Sequence, residues 1–196
     1  MVILYLDIEI DSQGEEPHPS DKIITIQYKE LGGKLVVLKE WDWREEGEKR
    51  IVKDFYDYLS SIMSKDKVQI IGFNIFRFDV PFLIYKLVHF NIDTLECIIE
   101  KFRKVYWRDL RYCLYPFNNF SFQGLSEGGV AEKLGLKQPE PPSKDIPKFY
   151  RMKEYDKIIE HIESEFKFFE DLNWKLTHEL DDVIARYKGT NCRTFA

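Results

Sequence analysis

The chain opens on MVILYLDIEI, an apolar run interrupted only by Asp7 and Glu9, and its branched and aromatic side chains from Val2 to Ile10 predict a buried strand. Alternate side chains of a strand share a face, so the two carboxylates point the same way. IITIQYKE and KLVVLKEW then alternate apolar and polar positions with period two. Leu31, Gly32 and Gly33 lie between them, which predicts a hairpin. The first three strands should therefore be antiparallel. The segment DSQGEEPHPSD between the first two is rich in Gly, Pro and acids and reads as a mobile loop beside Asp7 and Glu9.

Further along the period changes. Ile51, Phe55, Tyr58, Leu59 and Ile62 recur at helical spacing, and a strand from Val68 to Asn74 follows a polar break. Asp79 opens the next helix, with Pro81 in its first turn and Phe82, Leu83, Leu87 and Phe90 on its apolar side. A short strand is expected over Tyr106–Tyr112 and a small helix in GLSEGGVAEKLGL, while KQPEPPSKDIP reads as a proline-rich connector. From Met152 to Tyr187 there is neither Gly nor Pro, and Ile158, Ile162, Phe166, Phe169, Leu172, Leu176 and Leu180 mark one long helix or two abutting ones. His161 and Glu165 share a face of it.

Composition narrows the picture. A chain of 196 residues with 44% hydrophobic content can build one well-buried domain, read here as residues 1–196. The net charge of −5 excludes a protein that grips nucleic acid through a bulk positive field, so any such contact is local. One local candidate is KFRKVYWRDLRY, where Lys101, Arg103, Lys104, Arg108 and Arg111 interleave with Phe102, Tyr106, Trp107 and Tyr112. Three cysteines, Cys97, Cys113 and Cys192, fit neither a zinc site nor a disulfide framework. With no run long enough to cross a membrane and no basic leader, the expected setting is cytoplasmic.

The acids carry the chemistry. Asp7 and Glu9 end one strand, and the turn after a second strand leads to Asp79. Hard divalent cations such as Mg²⁺ or Mn²⁺ take oxygen ligands held on rigid supports. An Asp-x-Glu pair alone is weak, and Asn74 and Asp79 also suit a turn and a helix start. The combination is more specific. YLDIE, GFNIFRFD and HIESE resemble the three motifs of the DEDD family of 3′–5′ exonucleases, and most of all those of the exonuclease domain of family B DNA polymerases. The resemblance spans nearly the whole chain, as in a free-standing exonuclease domain.

It implies an α/β, ribonuclease H-like fold: a central mixed sheet, its first three strands antiparallel, flanked by helices. It also implies a phosphodiester hydrolase that removes nucleoside monophosphates from the 3′ end of single-stranded DNA or RNA with two Mg²⁺ or Mn²⁺ ions. In such enzymes Asp7 would bridge both ions, Glu9 and Glu165 would hold the one that activates water, and Asp79 the other. His161 would orient or deprotonate the water. Asn74, Phe76, Phe78 and Ile10 would face the substrate, with Phe73, Phe76 and Phe78 able to stack on terminal bases, and Asp109 would be an extra acid near the site.

Where the family usually has Tyr and Asp, this chain has His161 and Glu165, and Ile10 stands where a Thr is frequent. The rival expectation is accordingly a degenerate module of the same fold that binds nucleic acid, or a replication or repair protein, without cutting.

Overall fold

The computed structural model describes residues 1–188 apart from 13, 15 and 42–44. Cys192, and two positions of the loop expected to be mobile, lie outside the described residues. Five strands form one sheet in the order β3-β2-β1-β4-β5. The long strand β1 (Val2–Asp11) pairs antiparallel with β2 (Lys22–Glu30), which pairs antiparallel with β3 (Leu35–Lys39). On its other side β1 runs parallel to β4 (Val68–Gly72), which runs parallel to β5 (Tyr106–Asp109). Parallel neighbours need crossover connections, and helices supply them: α1 (Glu45–Met63) before β4, then α2 (Asp79–His89) and α3 (Leu95–Phe102) before β5. The chain closes with α4 (Leu110–Leu114), α5 (Glu127–Leu134), α6 (Ile146–Arg151), α7 (Tyr155–His178) and α8 (Leu180–Lys188).

The pleat of β1 sorts its side chains between two cores. Leu4, Leu6 and Ile8 pack with Ile51, Phe55 and Leu59 of α1, Phe82 and Leu83 of α2, and Ile98 of α3. Tyr5 faces the other way, into a core built from Leu110, Val130, Ile162, Phe166 and Phe169 of the later helices. Asp7 and Glu9 share the parity of Tyr5 and so face the helices of the second half of the chain. The result is a three-layer α/β/α domain with a mixed sheet, its centre occupied by the strand that carries the acids.

The sheet's end is shaped by two residues. A Cβ on Gly72 would lie 2.6 Å from the Leu6 carbonyl oxygen and 2.3 Å from Ile75 Cγ2, so only glycine fits where β4 leaves the sheet. Asn74 then takes a left-handed conformation, φ 63°, which Asn tolerates better than most residues. This turn delivers Asp79 to the start of α2.

Several expectations change. β4 stops at Gly72 and not at Asn74, because of that turn. β5 covers only the first part of Tyr106–Tyr112: the Asp109 carboxylate accepts from the Arg111 and Tyr112 amides and starts α4. The proline-rich connector ends in helix α6, with Pro147 in the first turn, where its missing N–H is harmless. Of the two expectations for the final helical stretch, the structure has the two abutting helices, which break at Glu179. Helix α3, not among the elements expected from the sequence, is short, buries Ile98 and Phe102 and is capped by Thr94, whose hydroxyl accepts from the Cys97 amide. No helix among the described residues is long and apolar enough to cross a membrane.

Candidate metal centre

Four of the carboxylates singled out by sequence, together with His161, meet at the carboxyl ends of β1 and β4. Asp7, Glu9, Asp79, His161 and Glu165 are all buried. Each comes from a rigid support: Asp7 and Glu9 from the central strand, Asp79 from the first turn of α2, and His161 and Glu165 from one face of α7. A cleft of about 730 Å³ opens beside them, lined by Asp7, Glu9 and Glu165 and also by Asn74, Phe78, Glu127, Lys144, Lys148 and Arg151.

The anchoring hydrogen bonds explain the geometry. Gln27 is opposite Asp7 in the antiparallel register, and its Nε2 donates to Asp7 Oδ2 at 2.5 Å. Asp79 Oδ1 accepts from the Ile8 amide at 3.0 Å, which docks α2 onto β1. His161 Nδ1 lies 2.5 Å from the Pro141 carbonyl oxygen. A carbonyl only accepts, so Nδ1 carries the proton and Nε2 is turned inward. There it stands 3.0 Å from Glu9 Oε1 and 3.7 Å from Glu165 Oε2.

This concentration of acids is costly without a counter-charge. Burial raises Asp7 well above the ordinary carboxylate range, with Asp79, Glu9 and Glu127 adding to the rise. Asp79 is likewise raised well above its ordinary value, chiefly by burial and despite the amides that favour its ionised form. Glu165 is raised by burial and by the charges of Asp7, Glu127 and Glu9. For His161, burial alone would depress the pKa, but Glu9, Glu127 and the Pro141 carbonyl outweigh it and leave it raised.

The donor set fits a divalent cation. Asp79 Oδ2 and Glu165 Oε2 are buried without a hydrogen-bond partner, while Glu9 Oε1 and His161 Nε2 have only each other, at 3.0 Å. Such atoms are rare in native proteins unless something else satisfies them. One ligand atom each from Glu9, His161 and Glu165 lies within 4.8 Å of the others. Asp7 and Asp79 lie outside that trio and complete the acid-lined floor. The presence of His161 in the trio departs from the all-oxygen ligand set expected of the motif.

The remaining sequence candidates divide. Asn74 borders the cleft and its side-chain oxygen accepts from Arg111 Nη1 at 2.7 Å. Phe78 lines the cleft while leaning on Phe82, with ring centroids 4.6 Å apart. Phe76 is exposed, outside the cleft lining, and meets Tyr112 edge to face. Phe73 packs into the core against Phe168 and Phe169 and also lines the cleft. Ile10 is buried among the residues facing α1 to α3 and touches the edge of the cleft. Asp109 does not project into the cleft as an extra acid. Its carboxylate accepts from the amides of Asn74, Phe76, Arg111 and Tyr112 and holds two chain segments together.

Sequence reasoning misses Glu127 and Gln27 as members of the site, and names Arg111 only as part of the basic, aromatic stretch. Glu127, in the first turn of α5, interacts with Glu165 and His161, and burial raises its pKa. Its position in SEGG reads as an ordinary acid near a helix start, so no local signal marks it. The one signal for Gln27 is that it is a polar residue on an otherwise apolar strand.

Comparisons agree with this architecture. No family model matches the chain. The curated protein "DNA polymerase 2" of Aeropyrum pernix is 31% identical over 83 residues, which are 42% of this chain and 10% of that protein. The solved family B DNA polymerase of the archaeon Pyrobaculum calidifontis superposes with a TM-score of 0.65 and 17% identity, over 94% of this chain and 27% of the polymerase. The chain thus spans about a tenth of the curated relative's length and about a quarter of the solved polymerase's. The fold is α/β and ribonuclease H-like, as the motifs implied.

Proposed function

We propose that residues 1–196 act as one exonuclease-like domain, a metal-dependent 3′–5′ exonuclease that shortens single-stranded DNA, with RNA as the alternative substrate. The observation that carries this reading is the convergence of Asp7, Glu9, Asp79, His161 and Glu165, all buried, at an open cleft lined by Asp7, Glu9 and Glu165, with Asp79 Oδ2 and Glu165 Oε2 left without a hydrogen-bond partner. The similarity to DNA polymerases supports it.

Asp7, Glu9, Asp79 and Glu165 would hold two divalent cations, with His161 Nε2 as a nitrogen donor beside Glu9 and Glu165. When bound, the cations supply positive charge for the scissile phosphate and acidify the attacking water. The protein's own part is positional. Gln27 and the Ile8 amide fix the orientation of Asp7 and Asp79, and Pro141 fixes that of His161. Lys144 and Lys148 line the cleft, where they offset the negative charge of an approaching strand, while Arg151 is paired with the buried Asp11. Phe78 offers a face to the terminal base, a contact that tolerates any sequence. An imidazole donor favours Mn²⁺ over the harder Mg²⁺, so Mn²⁺ is the expected activator.

A non-cutting nucleic-acid module is the second reading. It is favoured by the 3.0 Å contact of His161 with Glu9, which a protonated imidazole can make without any metal. The two part in one assay: 5′-labelled single-stranded DNA and RNA with Mg²⁺ or Mn²⁺, beside Asp7→Ala and a chelator. A ladder shortened from the 3′ end that disappears in both controls is the expected result. Strand binding with no ladder in either metal overturns the nuclease reading.

A further inference from the structure

From the mouth of the cleft a row of aromatic rings runs outward over the surface beyond β5. Phe76, 45% exposed, meets Tyr112, 43% exposed, edge to face with centroids 5.9 Å apart. Tyr112 touches Phe122 at 4.9 Å, Phe122 stacks on Tyr115 at 4.4 Å, and Tyr115 meets Phe120 at 5.6 Å. Phe120 is 69% exposed. Tyr115 and Phe122 are half-buried, Phe122 against the core, and they support the exposed rings of Phe76, Tyr112 and Phe120 in one contiguous patch of the kind that marks a binding surface.

Its backbone is held to present them. Asn119 and Phe120 both have positive φ, 54° and 53°, and for a bulky residue such as Phe that conformation is strained. Asn118 steadies the loop from beneath, since its Nδ2 donates to the carbonyl oxygens of Ser121 and Gln123.

The row is basic where it joins the cleft. The Arg111 guanidinium lies 4.9 Å from the Phe122 ring and also bonds Asn74 in the cleft lining. Its Nε is buried without a hydrogen-bond partner, and the nearby Arg77 repels it. Arg77 is exposed and makes no ion pair among the described residues. Two guanidiniums beside a string of rings, on a chain of net charge −5, form a local cationic and π-rich strip. Such a combination suits a ligand that alternates phosphates with flat rings.

We propose that Tyr112, Phe122, Tyr115 and Phe120, with Arg77 and Arg111, form a stacking track for single-stranded nucleic acid several nucleotides away from the end held in the cleft. Its continuity with the cleft through Asn74, Arg111 and Phe76 identifies the occupant as the same strand. The proposal rests on the nuclease reading only for the direction of the strand, since binding along the track needs no metal and no cleavage.

The test uses the full chain and fluorescein-labelled oligothymidylates of 3 and 12 nucleotides, with binding followed by anisotropy in EDTA. The wild type should bind the 12-mer more tightly than the 3-mer. Tyr112→Ala/Phe120→Ala should erase about tenfold or more of that gain while leaving the 3-mer unchanged. Tyr112→Phe/Phe120→Tyr should keep the gain. Both rings are exposed, so an unchanged melting temperature verifies that the double variant is folded. A wild type with no length gain, as expected if the surface serves a protein partner, or an equal gain in the alanine variant, overturns the track. Cleavage of the 3-mer in Mn²⁺ is read separately. No cleavage with an aromatic-dependent gain refutes the nuclease and keeps the track; cleavage with an unaltered gain does the reverse.

Discussion

Asp109 and Glu127 show how an acid's role is decided by what surrounds it. Asp109 stands in a basic, aromatic segment downstream of the second motif, where the resemblance to exonucleases implies an extra acid near the site. In the fold its side chain is 2% exposed and accepts four backbone amides, three at Oδ1 and one at Oδ2. Asp109→Ala should therefore cost about 3 kcal/mol or more of folding stability, because buried amides lose a charged acceptor. Asp109→Asn keeps Oδ1 and should cost roughly half as much. Urea denaturation measures both, and an Asn variant of wild-type stability that loses all metal-dependent cleavage would make Asp109 a ligand after all. By contrast Asp7, Glu9, Asp79, His161 and Glu165 are legible in the sequence through the resemblance of YLDIE, GFNIFRFD and HIESE to exonuclease motifs, while strand alternation and helical spacing add only which of them share a face. Glu127 and Gln27 are not. They join the site only because α5 and β2 pack against elements distant in sequence, and nothing in their own neighbourhood encodes that.

At the scale of elements, long periodic segments are readable and short capped ones are not. β1, the β2–β3 hairpin, α1, α2 and the pair α7 and α8 each show a sustained apolar period. The eight residues of α3 offer little more than two turns of pattern, and β5 is shorter than its apolar and aromatic residues suggest because a single capping carboxylate ends it. Another feature that only packing reveals joins α1 to α2. Lys86 Nζ lies 2.6 Å from Glu48 Oε1 with both side chains buried, and Glu48 also accepts from the Ile23 amide at the start of β2. Lys86 further donates to the Ser20 carbonyl, at the end of the segment that passes the cleft. Removing one partner of a buried pair leaves an uncompensated charge. Lys86→Met should thus destabilise the fold by about 3–5 kcal/mol, visible as a lowered urea midpoint. A midpoint within experimental error of wild type would show that Glu48 is solvated or neutral in the folded protein.

For the whole molecule, the proposed metal centre would set a conflict between stability and function that a bound cation would resolve. Asp7, Asp79 and Glu165 have pKa values raised above those of the unfolded chain, and so does His161. A raised folded pKa means that the native state binds more protons than the unfolded state. Its stabilising contribution is complete below the unfolded value and is lost as pH rises through the folded one. For the carboxylates the loss begins near pH 4 and for His161 near pH 6.5, about their unperturbed values, and both run in the same direction. Asp66, Asp93 and Glu100 are shifted oppositely but sit at the exposed surface, where solvent weakens their effect. In chelator the melting temperature should therefore fall between pH 5 and 8. Divalent cations bind the deprotonated centre, so Mn²⁺ should recover the loss at pH 8, by about 2.7 kcal/mol at a hundredfold excess over its dissociation constant, and do little at pH 5. Differential scanning fluorimetry across that range, with EDTA and with Mn²⁺, measures both slopes. A melting temperature that climbs with pH in EDTA, or an Mn²⁺ effect equal at both ends, would mean that the buried acids are not the groups that bind the metal.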